Sequence, residues 1–116
     1  MSGAVSFSAA GGRPPLRATA SPVSVSGFKF GTGTVTTSSP VTVNVTGGVP
    51  PYTYLWTDVS NADTITETLP ATASTYWRKN LTSAPDSVTG TFKCVVTDAA
   101  LTAVDSDVVT VDLYNF

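Results

Sequence analysis

Apolar residues recur at every second position in several short runs, and that period limits what the chain can fold into more than any other feature. In Val41-Thr42-Val43-Asn44-Val45 the valines take one face and the polar residues the other, as in a strand that covers a core on one side only. The same period groups Tyr52, Tyr54 and Trp56, then Phe92, Cys94 and Val96, then Val109, Val111 and Leu113. No stretch carries a competing helical period. Runs of this kind, each bounded by Gly, Pro, Asn, Asp or Ser, predict an all-β fold of the sandwich type. Strands are expected near residues 23–25, 32–37, 41–45, 52–57, 64–68, 75–81, 91–97 and 108–113, about seven to eight in all.

With 116 residues there is room for one domain with a core of its own, without help from metal or disulfide. The alternating pattern starts near residue 21. Before it, residues 1–20 are small and rich in Gly, Ala and Pro, with Pro14, Pro15 and Leu16 between Arg13 and Arg17. This reads as an extended N-terminal arm, with those five residues as an assembly anchor, followed by a sandwich over 21–116. The glycine-proline punctuation of 47–51 does not recur, so no internal repeat is expected.

The stretch GGVPPYTYLWT, residues 47–57, sets a choice between a displayed aromatic platform and a core strand. Gly47-Gly48 supplies a turn, and Pro50-Pro51 stiffens the start of the next strand. Rings as large as Trp56 bury about 150–250 Å² each and serve a small sandwich best from inside. The expected core is therefore centred on Trp56, with Val43, Val45, Tyr54, Phe92, Cys94, Val96 and Val111 around it.

Two segments, GGVPPYTYLWTDVS and GTFKCVVTDAALTAVDSDVVTVDL, resemble an immunoglobulin-like domain of the polycystic-kidney-disease-repeat kind. Such domains are carried by bacterial surface proteins and by tail and capsid proteins of tailed bacteriophages. The resemblance covers roughly residues 19 to 113. It implies an immunoglobulin-like sandwich in which Trp56 ends the third strand and Phe92 to Asp98 form the penultimate one. Val43 stands where antibody-type domains have the cysteine that would pair with Cys94, so apolar packing replaces the bridge. Phe92 stands where a tyrosine often makes a corner hydrogen bond.

Chemistry is thinly supplied. The chain has no histidine, which removes imidazole-based triads and the commonest zinc ligand, and Glu67 is its only glutamate. No enzymatic activity and no cofactor are expected. Asp98, Asp105 and Asp107 offer the best oxygen set for calcium, weighed against the reading of solvated hairpin residues. Six Lys and Arg against eight Asp and Glu give a net charge of -2, no footprint for nucleic acid. No apolar run approaches the roughly 18 residues of a membrane span, and the first residues lack the pattern of a secretory signal.

A contact surface is expected at Tyr76, Trp77 and Arg78, where one aromatic must point outward beside a cation, and at the aromatic terminus Tyr114 and Phe116. The favoured role is a structural or adhesive module of a phage particle, docking on other virion proteins or on copies of itself, located in the virion. The alternative is a module that binds a cell-surface glycan or receptor, with Trp77, Tyr52 and Tyr54 as stacking residues.

Overall fold

The computed structural model describes residues 14–116, and no helix occurs among them. Their strands are β1 (Arg17–Ser21), β2 (Ser24–Lys29), β3 (Gly33–Thr36), β4 (Val41–Thr46), β5 (Thr53–Ser60), β6 (Thr66–Glu67), β7 (Ser74–Thr75), β8 (Trp77–Leu81), β9 (Asp86–Thr97), β10 (Ala103–Asp105) and β11 (Val109–Asn115). The chain is an all-β sandwich, with more strands than the sequence predicts.

The longest strand, β9, organises one layer. It pairs antiparallel with β5 along one edge and with β11 and then β10 along the other. Strand β2 adds to β11 in parallel register, with Val25 opposite Val111 and Phe28 opposite Tyr114. The break between β10 and β11 is bridged by Ser106, whose Oγ accepts from Cys94 N and donates to Asp107 O. The facing layer holds two three-stranded sheets, β1–β4–β7 and β3–β8–β6. The backbone N–H of Thr37 donates to Trp77 O, one rung beyond the β3–β8 ladder of the second sheet.

Alternation in β9 sends Val88, Gly90, Phe92, Cys94 and Val96 inward and the residues between them outward. Trp56 lies opposite Cys94 on β5. From the other layer Trp77 meets Trp56 edge-on at 5.2 Å and Phe92 at 5.3 Å between ring centroids. These three buried rings join Val43, Cys94, Val96 and Val111 in one cluster, against which Val45 and Tyr54 pack while half-buried. Trp56 Nε1 donates to Thr72 O at 2.9 Å. Trp77 Nε1 is buried without a partner among the described residues.

Two sequence expectations are corrected here. Trp77, expected on a contact surface, has no exposed area; its inward phase is shared by Thr75 and Leu81, and Tyr76 and Arg78 take the outer face instead. The arm reading fails for residues 14–20. Leu16 is buried, and Arg17–Ser21 form β1, antiparallel to β4 from Arg17 opposite Thr46 to Ser21 opposite Thr42. The backbone pairing satisfies donors that a free arm would leave to water, and Ala20 N adds a bond to the Asp107 carboxylate. Arg13 and the rest of the expected arm lie outside the described residues.

Candidate contact interface

The two ends of β9 lie roughly 35 Å apart, at about 3.3 Å per residue over twelve residues, and each end of the sandwich carries its own cluster. At the Asp86 end, β11 and β2 run side by side to their last residues. Inward-facing Val111, Leu113 and Asn115 alternate with outward-facing Asp112, Tyr114 and Phe116. Parallel register places Phe28 beside Tyr114, and the ladder continues past the strands: Phe116 N–H donates to Lys29 O and Gly31 N–H donates to Phe116 O. Gly31 takes a φ of 83° there, a left-handed turn that glycine adopts without steric cost.

Four rings therefore meet on the outer face. Phe28 and Tyr114 stack at 5.8 Å with 14° between planes. Phe30 packs against Phe116 at 5.5 Å and edge-on to Phe28 at 6.1 Å. Phe116 also meets Phe28 at 5.9 Å and Tyr114 at 5.7 Å, both edge-on. Despite this mutual packing, Phe28, Phe30 and Phe116 remain 56%, 78% and 60% exposed. An open groove of about 500 Å³, lined by Pro85, Asp86, Ser87, Tyr114, Asn115 and Phe116, runs beside them.

The cluster stands on a clamp. Asn115 is buried beneath it; its Nδ2 donates to both Gly31 O and Ser83 O at 2.9 Å, while its Oδ1 accepts from Asp86 N at 2.7 Å. One amide thus ties the Gly31 turn, the loop before β9 and the end of β11 together. That holds all four rings on a fixed backbone.

The opposite end is held by Asp98. Its Oδ1 accepts from Ala100 N and Thr102 N, and its Oδ2 from Val49 N. These backbone donors, Thr102 foremost, hold its carboxyl below the ordinary aspartate value. Beside it, Gly47 has a φ of 71° and sits so close to the Pro15 carbonyl that an added Cβ would collide with it. Tyr52 Oη donates to Gly47 O at 2.6 Å.

The proposed calcium trio is not brought together. Asp98 is committed to backbone N–H groups, Asp105 pairs with Lys93 Nζ at 2.8 Å, and Asp107 accepts from Ala20 N. Among the described residues no three His, Cys, Asp or Glu side chains converge where they could hold a metal ion. A second groove of about 400 Å³ has Asp58, Asn61, Ile65, Glu67 and Pro70 in its wall. Burial, and then the Asp58 charge, push the Glu67 carboxyl up. The Asn61 amide, which would otherwise face a ligand, is spent on Asp58 Oδ2 and Ile65 O.

The expected contact residues are divided. Tyr114 and Phe116 lie in the ring cluster, whereas Tyr76 and Arg78 lie on the outer face of the other layer, with Arg78 opposite Thr36 and Thr66. Phe28 and Phe30 were not among the expected residues. Their spacing around Lys29 mirrors that of Tyr114 and Phe116 around Asn115, which is the one local signal that could have pointed to them.

Residues 40–61, which span β4, the Gly47–Pro51 turn and β5, match the SprB repeat family. That is a bacterial surface repeat, and the match supports a surface-associated β module. No curated protein matches the chain.

Proposed function

We propose that this chain is a non-enzymatic structural or adhesive module that docks on a larger surface assembly through its four-ring end face. The observation that carries this reading is the exposure of Phe28, Phe30 and Phe116 on a clamped backbone. Rings that could have been polar without harm to the core instead form an apolar patch, and rigid aromatic side chains supply contact area at small entropic cost. Two settings fit such a module. The match of residues 40–61 favours a bacterial envelope, and the resemblance over residues 19 to 113 suits a bacterial surface and a phage particle equally.

The glycan-binding alternative loses its main residue, because Trp77 is buried. Tyr52 and Tyr54 are half-buried, and the stacked Phe28–Tyr114 pair spends one face of each ring on the other. A photo-crosslinking residue in place of Phe30, introduced in the cell or particle that makes the protein, tests the docking reading. Crosslinks to a protein of that assembly are expected, and the mass of the product names the setting. Absence of any adduct, with adducts formed from a control position at Thr34, would refute it.

A further inference from the structure

Leucine at position 101 is not explained by the fold. The Asp98–Thr102 loop closes a hairpin in which Leu101 N donates to Asp98 O and Asp98 N to Thr102 O. In such a loop the residue after the turn takes the left-handed conformation, and glycine or asparagine suits it. Leu101 has a φ of 66° and is 84% exposed. A branched apolar side chain is thus held out in solvent by a backbone conformation that disfavours it. The same end of the sandwich presents exposed Pro14, Pro15, Pro50, Ala99 and Ala100, drawn together by Ala99 N bonded to Val49 O and Gly48 N bonded to Pro14 O.

This Pro/Leu end and the ring cluster occupy opposite ends of β9, and their chemistries are complementary. Proline rings and aliphatic tips are what aromatic-lined surfaces accept. The exposed charges are also opposed, with Arg17 at the Pro/Leu end and Asp86 beside the rings. Strand addition at β2 is blocked at Ser26, whose carbonyl already accepts from Ser38 N, and Thr36 crosses directly against Gly27. Contact at this end must therefore be made by side chains.

We propose that the ring cluster of one copy seats the Leu101–proline end of a second copy, so that modules associate head to tail. The contact is heterologous, and repetition gives an open file of modules, not a closed dimer. Four rings make a patch well below the ~800 Å² per partner of a stable interface. Free copies should bind weakly, and copies held close together should bind well. The inference rests on the docking reading above and narrows its partner to the chain itself.

The test is a dilution series of the full chain, up to roughly 1 mM, followed by NMR at the Leu101 methyls and the four rings. Both sets of resonances should move together with concentration. Leu101→Asp, an exposed change that suits a left-handed φ, should weaken the association at least about tenfold. A mixture of Leu101→Asp with Phe30→Ser should then restore a single contact, shifting the rings of the first and Leu101 of the second. No concentration dependence overturns the proposal. So does ring movement that survives Leu101→Asp, which would mean that rings meet rings. Crosslinks from position 30 to another protein, with no self-association, would sink this inference and leave the docking reading standing.

Discussion

Trp77→Ala tests the packing that the two layers share. Trp77 has no exposed area and touches both Trp56 and Phe92, so truncation leaves a cavity bounded by two rigid rings that cannot collapse to fill it. Buried aromatic-to-alanine changes cost about 3–5 kcal/mol. The unpartnered Nε1 moves the value down that range, because the native indole already bears part of the ~1–3 kcal/mol for a buried orphan donor. The expected loss is about 3 kcal/mol, a large share of the ~5–15 kcal/mol that a domain of this size possesses. In urea, with a slope near 1.5 kcal/mol/M, the midpoint should fall by roughly 2 M. Circular dichroism gives the curve, and Trp56 remains as the only indole, so fluorescence reports the same transition. Trp77→Phe should cost under about 1.5 kcal/mol, since it removes the orphan N–H along with part of the ring. A loss below about 1 kcal/mol for Trp77→Ala would refute the placement and mean that β8 turns its other face inward.

Three other outcomes follow from named contacts. Burial pushes the Cys94 thiol up to about 11, so a bulky thiol reagent at neutral pH should label it only after unfolding; rapid labelling of the native protein would contradict its position in the core. Leu16→Ala should cost about 2 kcal/mol, because Leu16 is buried at the start of β1; an unchanged thermal midpoint would restore the arm reading for these residues. The Asp98 carboxyl is held below its unfolded value by backbone donors. Its contribution is present above the ordinary aspartate range and lost as pH falls through the lowered folded value. Asp98→Asn should flatten the acid limb of the stability-pH curve in that window, and an unaltered limb would show that the Asp98 bonds are not linked to folding.

What the sequence disclosed depended on how local the signal was. Phe92, Cys94 and Val96 alternate cleanly with Lys93 and Val95 because β9 is covered on one face, so the period alone gives the strand. Trp77 misled because its phase is set by Thr75, a polar residue that is buried while donating to Tyr76 O. β1 escaped because Arg-Ala-Thr-Ala-Ser carries no large apolar residue; its pairing is decided by β4, more than twenty residues away. The ring cluster was half visible. Tyr114 and Phe116 stand out at the end of an alternating strand, but joining them to Phe28 and Phe30 needs a parallel pairing between segments over eighty residues apart, and no local pattern encodes that. The Asn115 clamp is hidden for the same reason, since its three partners lie on two distant segments, at Gly31 and at Ser83 to Asp86.

The most direct measurement concerns the ring face itself. In the double variant Phe30→Ser/Phe116→Ser, both side chains are mostly exposed, so the thermal midpoint should move by no more than a surface change allows, within about 0.5 kcal/mol per site. Its attachment to the surface assembly, measured by competition against the unaltered protein for incorporation, should be lost. Normal incorporation of a folded double variant would contradict the assignment of this end as the contact face and move it to the outer layer around Tyr76 and Arg78.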